Sequence, residues 1–290
     1  MASIRDLRTR IKSIGNIRQI TRAMEMVATT KLRRFQEKAV ASRPYSREIT
    51  GLVTRMAAVM GEETRARPLF NPGRGERIAV FVVSSDRGLC GAYNSNLGRL
   101  LETWIKENAE REVDFFVVGR KGYQYLVRRG RNVVTYFADP PLEKVDYRAA
   151  ARAARALADA FLSGQYERVV CFYTAFESVV KYVPTRMDFL PIESVPAVDE
   201  GPTASGDLIL EPDAASIFDA LVPRYLETRI YNALLESLTS EYASRRVSMK
   251  NATDAAKNMG NALRKLYNRK RQENITKELL DIVGGAEAVR

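Results

Sequence analysis

Six apolar residues, Met249, Ala252, Ala256, Met259, Leu263 and Leu266, recur at alternating spacings of three and four. Such a stripe covers one face of a helix and has to be buried against a second helix. The first forty residues carry a matching stripe. Ile4, Leu7, Ile11 and Ile14 open it, Ile17, Ile20, Met24 and Val27 continue it, and Ala28, Leu32, Phe35 and Ala39 close it. The two ends of the chain therefore predict one helical hairpin, with everything between them as an insert. An insert of ordinary size brings its ends together, so the two helices run antiparallel. This reading pairs the region around Met24 with that around Leu263, and Ala39 with Arg246–Met249.

Each helix has its punctuation. Gly15 is a weak point, costing about 1 kcal/mol relative to Ala in a helix interior. Pro44 is expected to kink or restart the first helix, because it lacks an N–H and clashes with the preceding turn. Periodicity resumes at Ile49, Leu52, Val53 and Met56 and ends at Gly61. At ~1.5 Å per residue, about 55 residues span roughly 80 Å. Glu211-Pro212-Asp213 starts the last helical segment, with Pro suited to a first turn. Pro223 is expected to break or kink it. From Arg224 the pattern runs through Ile230, Leu234, Leu238 and Tyr242 to Val283, where Gly284-Gly285 is expected to stop it. Leu279, Leu280, Ile282 and Val283 are apolar on more than one face, which implies a further apolar environment for the tip.

Between the helices the period changes. Residues 62–76, with two prolines and two glycines, read as a linker. Residues 78–85, 113–119, 132–137, 168–175 and 180–190 read as strands, the last with Pro184 at an edge or bend. Helices fall around Leu97–Ile105, capped by Asn94 or Ser95, then at Gly122–Arg129 and Tyr147–Leu162. Alternating strand and helix predict a parallel-leaning, Rossmann-like α/β sheet with helices on both faces. Residues 191–207 read as a second linker. The fold class is therefore α/β: a long antiparallel coiled coil of N- and C-terminal helices with an inserted Rossmann-like α/β domain. Its divisions are 1–60, 77–190 and 209–286.

Charge sharpens the picture. Residues 1–56 hold 13 Lys or Arg against 4 Asp or Glu, and residues 245–277 hold 10 against 2, whereas 57–206 holds 20 against 19. The net charge of +11 thus sits on the terminal helices and reads either as a solvated helix face or as a surface for acidic partners. The chain has no histidine, which removes His general bases, His-containing triads and His-containing metal sites. Cys90 and Cys171 stand among apolar residues and read as inert, buried thiols. No apolar run approaches the ~20 residues of a membrane span, and no signal peptide is apparent at the N-terminus.

Three stretches invite a chemical reading. Ser85-Asp86-Arg87-Gly88-Leu89-Cys90-Gly91 follows the first strand, where nucleotide loops sit, but its spacing is neither GxGxxG nor GxxxxGK[ST]. A structural turn or a partner-contact loop fits better. Gly119-Arg120-Lys121-Gly122 opens a helix and could hold an anion. Tyr267–Thr276 interrupts the seam with polar groups. It reads as a solvated collar, or as a ring of donors in which Arg271 grips carboxylates of a surrounding protein.

The chain resembles the γ-subunit family of bacterial F-type ATP synthases. The resemblance is carried by IRQITRAMEMVATTKLRR (17–34), ASRPY (41–45), SSDRGLCGAYNSN (84–96), EPD (211–213), residues 225–256 and LYNRKRQENITKELLDIVGGAEAV (266–289). It covers essentially the whole sequence. It implies a rotor shaft, one copy per complex, lying inside a ring of α and β subunits and standing on a ring of c subunits beside the ε subunit. Ion flow would turn the c ring and drive ATP synthesis at sites on β, with some part for the shaft in regulating ATPase activity and proton flow. It implies no active site, no cofactor and no metal in this chain, and a peripheral place on the cytoplasmic face of the inner membrane. Arg271, Gln272 and Thr276 match the family's catch on a β subunit, and Met24 lies near its acidic β loop. Lys31, Arg33, Arg34, Arg245, Arg246 and Lys250 would face acidic ring surfaces. Glu211 and Tyr231 match foot positions near the c ring and ε. Ile282 and Val283 would turn in an apolar sleeve. No redox insert of the chloroplast type is visible.

Two other classes remain open from composition. A basic coiled coil could bind nucleic acid, although no base-reading module appears. An α/β enzyme with helical arms would need a nucleotide loop that the sequence does not show.

Overall fold

The computed structural model describes residues 3–192, 211 and 213–288. The second linker beyond Ile192, together with Pro212, lies outside the described residues. The elements are α1 (Ile4–Met60), a one-turn α2 (Glu62–Arg65), β1 (Arg77–Val83), α3 (Tyr93–Glu107), β2 (Val113–Val118), α4 (Arg120–Val127), β3 (Asn132–Phe137), α5 (Tyr147–Leu162), β4 (Tyr166–Phe176), β5 (Tyr182–Leu190) and α6 (Ala214–Ala288). The chain divides into two compact units, Met1–Thr29 with Arg245–Arg290, and Thr30–Ser244. Helices α1 and α6 contribute to both.

Neither proline interrupts its helix: α1 runs through Pro44 and α6 through Pro223, and α6 also runs on through Gly284-Gly285, where a stop was expected. A proline removes the donor for the carbonyl four residues earlier. Those carbonyls belong to Val40 and Asp219, which are exposed, as are both prolines, so water can take the place of the missing N–H. The N-cap of α3 is Ala92 rather than Asn94 or Ser95. Asn94 turns back instead and bonds Ser85 and Cys90. The first linker holds α2 and a 3-10 turn at Pro68–Phe70. At the start of α6, Asp213 accepts from the Ser216 N–H at 2.9 Å, a side-chain cap.

In the first unit the buried line on α1 passes through Ile4, Leu7, Ile11, Ile14, Thr21, Glu25 and Ala28. On α6 it passes through Met249, Thr253, Ala256, Gly260, Leu263, Tyr267 and Lys270. Two expectations are corrected here. Ile17, Ile20, Met24 and Val27 leave the seam and are exposed, as are Met259 at 54% and Leu266 at 44%. The geometric alternation of three and four continues past them, and polar residues hold the line that the apolar residues desert. The hydroxyls of Thr21 and Thr253 meet at 2.9 Å, and Thr21 in turn donates to the Arg18 carbonyl. A methyl on Gly260 would meet Ile14 Cγ2 at 3.7 Å, so the two helices approach closely there.

The second correction concerns register. Thr21 opposes Thr253, and Arg8 donates to the Tyr267 hydroxyl at 3.0 Å, so Met24 lies far from Leu263 along the seam. In the second unit Asn232 donates to Ser46 at 2.8 Å and Phe35 stacks on Tyr242 at 5.4 Å, which places Ala39 well before Arg246–Met249. The first pairing slips by roughly two heptads and the second by roughly one to one and a half. A heptad seam matches itself at every multiple of seven, so periodicity alone leaves register open. The polar contacts select one.

The sheet has the order β3-β2-β1-β4-β5, with β5 antiparallel to β4 and all other neighbours parallel. Every strand expected from the sequence is present. Ile78, Val80 and Val82 of β1 face α3 and α4 and bury Leu97, Leu101, Trp104 and Leu126. The opposite face packs on α5. At the strands' N-terminal ends the buried Asp114 accepts from Tyr166 at 3.0 Å and Asn132 at 2.6 Å and pairs with Arg77 at 3.1 Å. Burial and this carboxylate push the Tyr166 phenol up to about 12. Along residues 225–244 α6 is buried or half-buried at every position, the signature of a helix enclosed on all sides.

Candidate functional site

The glycine turn after β1 is built as structure. The Ser85 hydroxyl donates to the Arg87 carbonyl at 2.8 Å, and Asn94 Nδ2 donates to Ser85 at 2.7 Å. Ser244 of α6 donates to the Cys90 carbonyl at 2.6 Å. Leu89 takes a left-handed φ of 64° and is exposed, which places an apolar side chain at the tip of the turn. The helix start at Gly119–Gly122, one that could hold an anion, is occupied by the chain itself. The Arg120 N–H donates to Asp86 at 3.0 Å, the Lys121 N–H to the Ser85 carbonyl at 2.9 Å, and the Gly122 N–H to Ser84 Oγ at 2.7 Å. With those donors taken, the helix terminus offers little to a phosphate. A cavity of about 310 Å³ lies beside it, between α3 and α4, lined by Leu97, Leu101, Tyr125 and Leu126.

The distinctive surface lies on α6 beyond Lys270. Helix α1 begins at Ile4, and Arg8 already reaches Tyr267. Every residue from Arg271 to Val283 is exposed. Among them are Ile275, Leu279, Leu280, Ile282 and Val283. Local support is confined to the start of this stretch, where Glu273 pairs with Lys270 at 2.8 Å and Arg269 at 3.2 Å. Those two cations hold the Glu273 carboxyl below its ordinary value, the Lys270 hydrogen bond first. An unpacked helix is marginal in water, and apolar side chains on several of its faces have no use there. The arrangement suits a helix that enters another protein.

The sequence-derived residues fall into distinct settings. Arg271, Gln272, Thr276, Ile282 and Val283 share this bare helix. Met24 is 40% exposed, in line with Ile17, Ile20 and Val27 on an outer stripe of α1. Lys250 is exposed, and Arg245 and Arg246 are half-buried. In the other unit Arg34 is exposed, and Arg33 bonds Glu37 at 3.0 Å. Lys31 differs from a free cation. It pairs with Glu143 and lies 5.7 Å from the Tyr242 ring centre. Glu211 is exposed at a bend, and Tyr231 packs edge-on against Tyr147 at 5.5 Å, its phenol raised by burial. Sequence reasoning missed Glu227, Ser237, Ser240 and Ser244, whose side chains tie α6 to its surroundings. The recurrence of Ser at 237, 240 and 244 was the available signal.

Residues 3–289 match the ATP synthase family ATP-synt. A curated relative, the ATP synthase gamma chain of Dehalococcoides mccartyi, is 39% identical over all of both chains. The gamma chain of Geotalea uraniireducens is 36% identical, again over the full length of each. Among solved structures, a chain of the central stalk and c ring of Tetrahymena thermophila mitochondrial ATP synthase matches with a TM-score of 0.61 and 25% identity. That match covers 80% of this chain and 99% of the other. A chain from the Euglena gracilis mitochondrial enzyme matches with a TM-score of 0.66 and 18% identity, covering 99% of this chain and 94% of that one. The chain belongs to the ATP synthase gamma-chain family. Among the described residues no helix is long and apolar enough to cross a membrane.

Proposed function

We propose that this chain is the central rotor shaft of an F-type ATP synthase, present in one copy. It carries rotation from a membrane ring of c subunits to a ring of α and β subunits, where ATP is made. The observation that carries this reading is the bare, apolar end of α6, a helix complete in itself and unfinished as a surface. Residues 1–60 and 209–286 act as the shaft, with Glu211 and Tyr231 at its foot near the c ring and ε, and 77–190 acts as the α/β domain beside that foot. The chain performs no chemistry of its own. It works at the cytoplasmic face of the membrane, and its contacts also regulate ATPase activity and proton flow.

The roles follow from side-chain chemistry. Arg271 can form paired hydrogen bonds with a carboxylate, and Gln272 and Thr276 add neutral donors one helical face along. Ile282 and Val283 are smooth apolar surface, suited to turning in a sleeve without fixed hydrogen bonds. Met24, Arg33, Arg34, Arg245, Arg246 and Lys250 present apolar and cationic surface to acidic loops of the ring, with Lys31 drawn in part towards Glu143.

The test is the assembled complex carrying Arg271→Ala with Gln272→Ala. ATP turnover per complex is expected to fall severalfold, while the purified chain unfolds at the same denaturant concentration as before. Unchanged turnover would remove these residues from the catch. A chain that never assembles with α and β subunits would remove the rotor reading itself.

A further inference from the structure

We infer that Glu227, Ser237, Ser240 and Ser244 of α6 form a torsional joint that locks the α/β domain to the shaft helix. The inference rests on the rotor reading, in which torque passes between the α/β domain and this helix.

The geometry is specific. Strand β1 pairs with β4 as far as Val82 opposite Phe172. Beyond that point β4 continues to Phe176 with no strand on its β1 side, and its next inward backbone groups belong to Thr174. On the other side Thr174 stands opposite Pro184 in a pair that exchanges no backbone hydrogen bonds, since the Thr174 N–H and C=O both face away from β5. Helix α6 takes the vacant place. The Thr174 N–H donates to Ser237 Oγ at 3.2 Å, and Ser240 donates to the Thr174 carbonyl at 3.1 Å. One helical turn further, Ser244 donates to the Cys90 carbonyl in the turn after β1. All three serines are buried. Their shared face of α6 therefore acts as a substitute strand, bonded to main chain at the C-terminal edge of the sheet.

A second tie lies towards the start of the helix. Glu227 is 1% exposed. It accepts from Tyr147 at 3.1 Å and from Arg155 at 3.0 Å, both on α5, and from Arg224 on its own helix at 3.3 Å. The two ties grip α6 at places separated by about three to five turns. Apolar packing is non-directional, and packed helices slide past one another in shear motions. Hydrogen bonds to main chain and a charge-assisted clamp have fixed directions and resist such sliding. Between them they supply what burial alone does not: resistance to twist.

The test uses the assembled complex with Lys106→Cys in this chain. Lys106 is exposed, whereas Cys90 and Cys171 are buried, so a bead can be attached selectively to the α/β domain. The α/β ring is fixed to a surface, and the bead's angular variance is recorded during catalytic pauses under ATP. Adding Ser237→Ala, Ser240→Ala and Ser244→Ala is expected to raise the variance at least twofold, as is Glu227→Gln separately. Asp114→Asn, which weakens the far end of the sheet, is expected to leave it unchanged. Where the triple variant fails to assemble, the three single variants serve, each expected to raise the variance. Unchanged variance in the serine and Glu227 variants, or an equal rise with Asp114→Asn, overturns the joint. A parent bead that does not rotate under ATP overturns the rotor reading instead.

Discussion

Two stretches of α6 share one backbone geometry and have opposite surroundings. Residues 225–244 are enclosed on every side by the same chain, and residues 271–283 touch almost nothing in it. Both are rich in apolar residues. The first stretch pairs its buried Glu227 with Arg155 and Arg224 of the same chain and mixes its apolar residues with small polar groups, Thr228, Ser237, Thr239, Ser240 and Ser244, each buried. Four of these bond backbone carbonyls, at Arg224, Leu235, Thr174 and Cys90, and Ser237 accepts from the Thr174 N–H. The second mixes its apolar residues with long charged side chains, Arg271, Lys277, Glu278 and Asp281, which need water or a partner of opposite charge. Small buried hydroxyls belong to an interface that is always closed. Long charges beside bare leucines belong to one that closes only on assembly. The contrast is one of permanence rather than of hydrophobicity.

The comparison can be broken most forcefully at Leu238, which is buried beside the serines. Leu238→Ala is expected to cost about 2–5 kcal/mol of stability in the isolated chain, the range for a buried leucine, read as a lower denaturation midpoint. Leu279→Ala, the same change on the bare stretch, is expected to alter the isolated chain by less than about 0.5 kcal/mol and to weaken assembly instead. Equal effects at both positions would erase the distinction.

A smaller effect tests the enclosed stretch at Glu236. Burial raises its carboxyl above the ordinary 4.5, opposed by a backbone hydrogen bond at Phe176 and by the charge of Arg43. A raised folded-state value means that the neutral form is favoured in the fold. That stability is present at low pH and is lost as pH rises through the raised value. Glu236→Gln keeps a neutral group at every pH. The variant is expected to be more stable than the parent at neutral pH, with the difference closing below about pH 4. A constant difference across that range would contradict burial as the cause. Smallest of all is the effect on thiol chemistry. Burial pushes the Cys171 thiol up to about 12, so a maleimide at neutral pH is expected to leave it unmodified until the chain unfolds.

Much of this was legible in advance, and for identifiable reasons. The strands announce themselves because five buried β-branched and aromatic runs are separated by helical periods. The Ala-rich run Tyr147–Leu162 coincides with α5 at both ends, and the structure adds the cap that starts it there, Asp146, whose side chain accepts from the Ala149 N–H. The bare tip was visible because Ile282 and Val283 add a second apolar face that a hairpin partner does not need. Register was not legible, because equivalent heptads look alike and the deciding contacts, Thr21 with Thr253 and Asn232 with Ser46, are polar. The outer stripe at Met24 was mistaken for the seam for the same reason: apolar residues were followed where the period moved on through Thr21 and Glu25. At Gly119 the helix start is filled by Asp86 and Ser84, which reach it from another part of the chain. No local pattern reveals that.

Amide hydrogen exchange over residues 271–283 tests the central claim most directly, comparing the free chain with its complex with α and β subunits. Unpacked helical amides exchange quickly, and enclosed ones do not. The account predicts fast exchange in the free chain and protection of at least about a hundredfold in the complex, with residues 225–244 protected in both. Equal exchange of 271–283 in the two states would contradict it.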